Sequence, residues 1–210
     1  MKRVMYYFWI FYITSILGFV LETIWCFIRN KKIESRKGLI YEPMIPIYGM
    51  SGTLIVLIVN IFQLSSDYEI FFIGMIISTV VEFLSSFLQE KIFATKSWDY
   101  KTFPFNLNGR VNLMYSLIFG FVAVLAYNVI LIPIANIFLM FDVNIYTLGL
   151  TLILCLFMFY DFFISSVAVF RMKERRQNIK RKNKFWRYID KNYNDLRLKK
   201  VYPNMVAVKK

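Results

Sequence analysis

Three carboxylic acids lie inside long apolar stretches of this sequence, at Glu22, Glu82 and Asp161. A charged carboxylate facing lipid would cost on the order of 2.5–3.5 kcal/mol, so we expect these side chains to face the interior of a helix bundle or to be protonated. There they could line a substrate cavity or form a path for cations or protons. The structural alternative is pairing between helices, for which Arg110 is the natural partner of Glu82 or Glu22.

Other common chemistries lack the residues that they require. The chain contains no histidine, which excludes Ser-His and Cys-His nucleophiles and every His-ligated metal site. Its two cysteines, Cys26 and Cys155, lie in apolar segments, so we expect neither a disulfide framework nor a metal site. No glycine is followed by lysine, which excludes a phosphate-binding P-loop. We therefore predict no catalytic residue, no metal and no cofactor, and we expect that the protein is not an enzyme.

Blocks of apolar residues must position the three acids. The chain is 58% hydrophobic with a mean hydropathy of +0.51, whereas a soluble domain is nearer half apolar. Blocks of about 20 apolar residues are long enough to cross the hydrocarbon core of a bilayer. We predict an all-α polytopic membrane helix bundle, with a transmembrane domain over residues 1–170 and a basic tail over residues 171–210. The five predicted spans are residues 4–28, 45–64, 70–88, 111–138 and 145–170.

Lysine and arginine in the predicted loops determine the orientation of the spans. Alternate loops sum to 24 basic residues on one side and two on the other. With five spans, this distribution places the N-terminus outside, and it places both polar connecting stretches and the tail in the cytoplasm of a multi-pass protein of the cell membrane. Lys2 and Arg3 conflict with this assignment. A re-entrant second span after Pro46 would resolve the conflict by placing the N-terminus inside.

Residues 5–125 have two halves of similar layout. In each half an acid inside a span is followed by a basic loop, by aromatic and turn residues, and by a further span. Glu22 precedes Gly49 by 27 residues, and Glu82 precedes Gly109 by the same number. Because both halves run in the same direction across the membrane, they would form a parallel repeat of two-helix units. Coincidence is the alternative, since few residues are identical.

Polar, turn-rich stretches precede the second and the fourth predicted spans. Pro43 and Pro46 disfavour helix at the residues before them. The first stretch is therefore either the irregular start of a helix or a broken helix that lines a cavity. In the second stretch Trp98 and Tyr100 would lie at headgroup depth, and the residues around Asn106 predict an interfacial turn.

The tail, residues 171–210, carries 15 of the 26 lysines and arginines. We interpret it as a solvated cytoplasmic extension that contacts anionic lipid, with each basic residue near the surface contributing roughly 1 kcal/mol. Trp186 and Tyr188 among the basic residues fit interfacial anchoring. This interpretation is favoured over nucleic-acid binding, so we predict membrane lipid as a partner and no nucleic acid.

Several residues of the two polar stretches form a pattern: Pro43, Pro46, Tyr48 and Gly49, then Trp98, Asp99, Tyr100, Asn106, Gly109 and Arg110. Together with Glu82, the pattern resembles a bacterial family called putative ABC-transporter type IV permeases, over about residues 5–125. The chain departs from that family at Glu42, where the family has Gly before Pro, and at Ile45, where it often has Cys. The resemblance implies a permease-type membrane subunit and implies neither a known substrate nor a catalytic residue.

The first functional hypothesis is a transporter subunit whose separate ATPase docks on the loops 29–42 and 89–110. A non-transporting scaffold or regulator that binds a partner through its basic tail is one alternative. A small proton-coupled carrier that uses Glu22, Glu82 or Asp161 is another. An enzyme acting on lipid is least favoured, because histidine and a nucleophile motif are absent. Five spans are few for a complete pathway, so we expect a homo- or hetero-oligomer.

Overall fold

The protein is a bundle of long helices joined by short irregular segments. The computed structural model describes residues 2–140 and 143–208. The last two residues of the predicted tail, and part of the predicted loop 139–144, lie outside the described residues. The all-α class predicted from the sequence is confirmed. The helices are α1 (Lys2–Asn30), α2 (Pro46–Phe62), α3 (Asp67–Phe93), α4 (Leu113–Ala126), α5 (Ile132–Met140), α6 (Ile145–Arg176), α7 (Lys184–Asn192) and α8 (Asp195–Val201).

The elements between these helices are small. A π-helical turn, Tyr127–Leu131, joins α4 to α5 in one continuous helix. Two-residue strands form two antiparallel ladders, one from β1 and β4 and the other from β2 and β3. The strands are β1 (Thr95–Lys96), β2 (Asn106–Leu107), β3 (Val111–Asn112) and β4 (Val206–Ala207).

Four helices are long and apolar enough to cross a membrane: Lys2–Asn30, Asp67–Phe93, Leu113–Phe138 and Ile145–Arg176. The prediction of five full spans is not confirmed, because the second predicted span forms the 17-residue helix α2. Ile45 has an extended backbone and Pro46 occupies the first turn, which fixes the start of this helix. A helix of that length spans about 25 Å, somewhat less than a hydrocarbon core of about 30 Å.

Helices α1 and α2 form a hairpin around the first connector, which we define as residues 31–45. The first connector doubles back along α1, since the backbone N–H of Ile45 donates to the carbonyl of Ser15 at 2.9 Å. Gly49 allows close approach at this point, because a Cβ atom there would lie 2.1 Å from Ser15 Oγ. Helix α2 therefore begins beside the middle of α1, and Val56 packs with Ile10 in the N-terminal half of α1.

Helices α3 and α4 form a second hairpin around the second connector, residues 94–112. A capping box between Ser66 and Glu69 begins α3. Thr79 Oγ1 donates to Ser116 Oγ at 2.7 Å and joins the two helices. The hairpins meet where α2 packs against α3, and the buried residues there and on α4 form an apolar core: Ile55, Val59, Ile70, Ile77, Val81 and Ala123.

Helix α6 contacts both the first hairpin and the first connector. Trp9 Nε1 on α1 donates to Thr151 Oγ1 on α6 at 3.1 Å. The apolar residues of α6 end at Phe170, but the helix continues to Arg176. It therefore runs across the boundary that the sequence predicts between the transmembrane domain and the tail.

Residues 177–208, which we call the terminal cap, fold back onto the helix ends. Ile189 and Leu198 are fully buried and pack with Met172 of α6 and Ile40 of the first connector. Strand β4 pairs with β1 of the second connector. The tail is thus not a wholly solvated extension. Its apolar residues are spaced among basic ones so that α7 and α8 each bury one side and expose the other.

The structure has two successive hairpins, but the parallel repeat is not confirmed, because the equal spacing that suggested it does not mark equivalent positions. Gly49 lies in the first turn of α2, where it touches α1. Gly109 lies in a turn of the second connector with φ of +70°. The two glycines therefore meet different steric requirements, and the matching intervals after Glu22 and Glu82 are not evidence for a common register.

Candidate functional site

Asp161 is fully buried and binds the backbone of the first connector. Its Oδ1 accepts a hydrogen bond from the backbone N–H of Ile40 at 3.1 Å. Its Oδ2 accepts from the N–H groups of Tyr41 at 2.9 Å and of Glu42 at 2.7 Å. The hydroxyl of Ser165, one helical turn further along α6, donates to Oδ1 at 3.0 Å. The carboxylate is thus surrounded by donors, as anions are in backbone nests.

This arrangement explains how an irregular segment can lie against membrane helices. Backbone N–H groups that are withdrawn from water need acceptors, because leaving one unsatisfied costs free energy. Asp161 supplies acceptors for three consecutive residues. The geometry gives Asp161 a positioning role for the first connector, while its predicted part in a cation or proton path stays a prediction.

Glu42 is a buried acid that the sequence analysis noted only as a departure from a family pattern. Its Oε1 accepts a hydrogen bond from the Tyr12 hydroxyl at 2.9 Å. Its Oε2 is buried with no hydrogen-bond partner among the described residues. One signal in the sequence could have indicated this: an acid placed between Tyr41 and Pro43, in a segment that must bend back towards the helices.

Glu22 and Glu82 each accept a hydrogen bond from a tyrosine hydroxyl. Tyr48, in the first turn of α2, donates to Glu22 Oε1 at 2.8 Å. Tyr100, in the second connector, donates to Glu82 Oε1 at 2.9 Å. Tyr48 interacts electrostatically with both carboxyl groups and with Tyr100. The structure therefore brings Glu22 and Glu82 into one cluster with two tyrosines, and Asp161 belongs to a different cluster.

Glu82 is the more enclosed of the two acids in this Glu–Tyr cluster. It is 6% exposed, and its Oε2 has no hydrogen-bond partner among the described residues. A carboxyl group in such surroundings is stabilised by holding a proton or by a cation close to its free oxygen. The predicted part of Glu22 and Glu82 in a proton or cation path stays a prediction.

Arg110 does not pair with Glu82 or Glu22, contrary to the structural alternative proposed from the sequence. Its Nη2 lies 2.6 Å from Glu90 Oε2, and its Nη1 donates to Ser86 Oγ at 3.2 Å. Its guanidinium carbon lies 5.6 Å from the centroid of the Phe87 ring. The reason is geometric. Arg110 precedes α4, and the acid it reaches is two turns nearer the end of α3 than Glu82.

Asp99 organises one turn of the second connector. It accepts a hydrogen bond from the backbone N–H of Lys101 at 3.1 Å and pairs with the side chain of Lys96. The hydrogen bond from Lys96 holds the pKa of Asp99 below its ordinary value, and the backbone bond from Lys101 acts in the same direction. The role of Asp99 is therefore local and electrostatic.

The rest of the second connector is held together by hydrogen bonds of Asn106, Gly109 and Trp98. Asn106 Oδ1 accepts a hydrogen bond from the N–H of Gly109 at 2.9 Å. Gly109 adopts a backbone conformation that other residues rarely take. Trp98 Nε1 donates to the carbonyl of Arg110 at 2.9 Å. These motif residues shape the turn that presents Tyr100 to Glu82.

The motif residues of the first hairpin have comparable structural positions. Pro43 is exposed in the first connector, and Pro46 begins α2. The ring of Tyr48 packs where Gly18 leaves space on α1, since a Cβ atom on Gly18 would lie 2.3 Å from Tyr48 Cγ. Within residues 2–140 and 143–208, no group of three or more His, Cys, Asp or Glu residues could hold a metal ion.

Comparison with known proteins gives one family. The family model described as Putative ABC-transporter type IV matches residues 9–166, about three quarters of the chain. The match confirms the resemblance found in the polar stretches. It also extends past the predicted limit at residue 125 to include Asp161, while the terminal cap lies beyond it. No curated protein and no solved structure matches the chain.

Proposed function

Because this chain belongs to the Putative ABC-transporter type IV family, we propose that it is the membrane-spanning subunit of a transporter whose ATP is hydrolysed by another chain. Four helices long enough to cross a membrane support this proposal. The sequence has no Gly-Lys pair of the kind a P-loop requires, so the ATPase would be a separate chain. The proposal assigns no catalytic residue, and it expects an oligomer, since one chain has few spans for a pathway.

The observation that carries the proposal is a folded platform at one end of the bundle. The hydroxyl of Ser35 in the first connector donates to the carbonyl of Val201 in the terminal cap at 2.8 Å. The hydroxyls of Tyr41 and Tyr193 lie 2.6 Å apart. On the other side, the N–H of Val208 donates to the carbonyl of Ala94 at 2.9 Å. Both connectors and the cap are thus tied together.

This platform has the features that a docking surface for an ATPase needs. It joins the ends of α1, α3 and α6, so a movement imposed on it would reach helices of both hairpins. It also contains the loops that the distribution of lysine and arginine predicts to be cytoplasmic, where ATP is found. The substrate pathway in this proposal runs between hairpins or between copies of the chain.

The first test is purification of the tagged protein from its native membrane in mild detergent, followed by mass spectrometry. The expected result is a stoichiometric P-loop ATPase. Two exposed basic residues of the platform, Lys32 and Lys101, provide a charge-reversal variant, K32E/K101E. This variant should lose the ATPase, while Arg3→Glu at the opposite end of α1 should retain it. Recovery of the wild-type chain without an ATPase would contradict the proposal.

A proton-coupled carrier is the second candidate, and the enclosed carboxyl group of Glu82 favours it. The test is reconstitution without any ATPase into vesicles that contain a pH-sensitive dye, with an imposed membrane potential. This candidate expects proton entry that falls at least tenfold in Glu82→Gln and persists in Glu90→Gln, whose acid pairs with Arg110 at the helix end. Equal proton entry in the wild type and in Glu82→Gln would contradict it.

The scaffold hypothesis is what remains if neither an ATPase nor proton flux is found. Deleting residues 171–210 is a poor test of it, because the deletion would expose Ile40 and Ile164, which pack against the terminal cap. Exposed cap residues are the better targets, since their replacement leaves that packing intact. A scaffold should tolerate Glu22→Gln and Glu82→Gln.

A further inference from the structure

The terminal cap lies beside the end of α6 and not beyond it. Ile189 and Tyr193 pack in one cluster with Ile164 and Ala168 of α6. Ile164 is six residues, about 9 Å of helix, before Phe170, where the apolar part of α6 ends. The cap is therefore held at the level where apolar helix surface gives way to charged residues, which is the level of the lipid headgroups.

The partly exposed aromatic side chains of α7 are suited to that level. Phe185 is 40% exposed and Tyr188 is 51% exposed, although both lie on a helix that buries Ile189 completely. Trp186 stacks edge-on against Phe185 and lies under the guanidinium of Arg181, with 5.4 Å between the Arg181 carbon and the ring centroid. Aromatic side chains beside basic ones are typical of membrane interfaces.

An open cavity of about 460 Å³ lies between the end of α6 and the turn that leads to α7. Its wall is rich in positive charge. Five basic side chains and one acidic side chain contribute to it: Arg171, Arg175, Lys180, Arg181, Lys182 and Asp190. A cavity with this excess of cations attracts an anion.

Ion pairs fix the arginines of the wall in place. Asp190 holds Arg171 through two hydrogen bonds of 2.9 Å and Arg175 through one of 2.7 Å. Glu174 contacts both Arg171 and Arg181. Asp195 also pairs with Arg175. The three carboxylates therefore balance the three guanidinium groups and hold them in place, so the net positive charge of the wall comes from Lys180 and Lys182.

Lys180 and Lys182 are in a different situation. Both are exposed at the mouth of the cavity, and in the described part of the chain their amino groups make no hydrogen bond or ion pair. They are free to close on a ligand, and an ammonium group binds phosphate as a compact point charge.

We propose that this cavity binds the phosphate group of an anionic phospholipid from the leaflet that faces the terminal cap. Lys180 and Lys182 contact the phosphate, and the ion-paired arginines form the wall behind it. The acyl chains lie along the apolar surface of α6, and the aromatic residues of α7 lie at the level of the headgroups. The site is independent of whether the protein transports a substrate.

The geometry favours a lipid over free phosphate as the source of that group. Arg181 of the cavity wall lies over the ring of Trp186, so an aromatic side chain of α7 adjoins the cavity, and a lipid would extend along it where a phosphate ion would not. It is also held at headgroup depth by the packing of Tyr193 and Ile189 against α6. Because the full chain places the cavity there, the test uses the full-length protein.

The experiment compares lipid binding by the purified protein in detergent with the binding of a charge-matched control. Phosphatidylglycerol and phosphatidylcholine are added separately, and retained lipid is counted by native mass spectrometry. The test variant is K180Q/K182Q. The control is K199Q/K200Q, which removes two exposed lysines of α8 that do not line the cavity. Equal thermal midpoints without lipid show that both variants are folded.

We expect the wild type to retain phosphatidylglycerol in preference to phosphatidylcholine. Affinity for phosphatidylglycerol should fall about thirtyfold in K180Q/K182Q, in keeping with the contribution of two surface lysines, and by less than threefold in the control. An equal loss of affinity in both variants would mean that the overall charge of the tail causes the binding, and it would overturn the proposed site. Equal retention of both lipids would also overturn it, as would displacement of phosphatidylglycerol by millimolar inorganic phosphate.

Discussion

The two hairpins of this protein reach similar shapes by different means. In the second hairpin, the connector is closed by its own residues: Asn106 binds Gly109, and Trp98 binds the carbonyl of Arg110. In the first hairpin, the connector depends on another helix, because Asp161 of α6 accepts its backbone N–H groups. Apart from β1 at its start, which pairs with β4 of the terminal cap, the second connector therefore follows from local sequence, while the first needs α6.

The two hairpins also bend at different positions along their first helix. Helix α4 begins at Leu113, close to the end of α3, where Arg110 pairs with Glu90. Helix α2 begins beside Ser15, near the middle of α1. The first connector lies beside the C-terminal half of α1. The buried carboxyl group of Asp161 accepts hydrogen bonds from its backbone N–H groups, which in a longer helix would be bonded within that helix.

The largest expected effect is that of Asp161→Ala, which removes the support of the first connector. The N–H groups of Tyr41 and Glu42 lose their acceptor, while that of Ile40 keeps Ser165 Oγ at 2.9 Å, and unsatisfied buried donors cost about 1–3 kcal/mol each. We expect a lower thermal midpoint in detergent. We also expect Cys26, now buried and 3.0 Å from Arg36 Nη2, to react with a maleimide in a Cys155→Ala background.

The control for that prediction is Asp99→Ala in the second connector. Asp99 is largely exposed and bonds only to its own turn. This variant should leave Cys26 protected. Protection of Cys26 in Asp161→Ala as well would show that the first connector holds its position without α6, and the contrast between the hairpins would fail.

The next effect in size concerns Gly49, where the shortened helix touches α1. In Gly49→Ala the new Cβ would lie 2.1 Å from Ser15 Oγ and 2.8 Å from the carbonyl oxygen of Phe11, which cannot rotate away. We expect a loss of about 2 kcal/mol, measured as a lower thermal midpoint. Gly149→Ala is the matched control in α6, because nothing lies within 4 Å of its Cβ position. Equal midpoints for the two variants would contradict the close approach.

A smaller and more local effect is expected at Gly109 in the second hairpin. Its φ of +70° disfavours any side chain, and a Cβ atom would lie 2.6 Å from Asp99 Oδ1. Gly109→Ala should cost about 1–2 kcal/mol and speed trypsin cleavage after Lys101, while Cys26 stays protected. Exposure of Cys26 in this variant would mean that the second connector is not self-contained.

The smallest expected effect is the response of the terminal cap to acid. The hydrogen bonds from Arg171 hold the pKa of Asp190 below its ordinary value, with a further contribution from Arg175. Stability from this depressed pKa is present at neutral pH and is lost as the pH falls through the pKa of the folded state. In a variant with Trp186 as its single tryptophan, emission should be constant from pH 7 to about 5 and change below about 4.

Asp190→Asn supplies the comparison for that titration. Its Trp186 emission at neutral pH should already resemble the acid form of the parent, and the acid transition should be much reduced. An unchanged transition would assign the response to another carboxylate, such as Glu174, which contacts Arg171 and Arg181.

Local patterns predicted much of this structure. The length of the apolar blocks predicted the helical class and four of the spans. The positions of Pro43 and Pro46 predicted an irregular segment before α2. The turn around Asn106 follows from residues within four positions of it. Burial of Glu82 follows from the free-energy cost of a charge in lipid, and the structure gives it a tyrosine partner.

Contacts between distant residues could not be predicted in the same way. Nothing near Asp161 in the sequence indicates that its partners are backbone N–H groups about 120 residues earlier. The pairing of Arg110 with Glu90 depends on the height at which α4 starts, which the sequence does not specify. The folded cap was missed because Ile189, Tyr193 and Leu198 are spaced among lysines and arginines, whose number dominates the composition.

The dependence of the first connector on α6 also orders events during synthesis. A ribosome makes residues 31–45 long before it makes Asp161, and at roughly 5–20 residues per second the 120-residue interval takes on the order of 6 to 24 s. During that time α1 can insert, but the segment that starts α2 has no acceptors for its N–H groups except water. The first hairpin is therefore synthesised first and completed last.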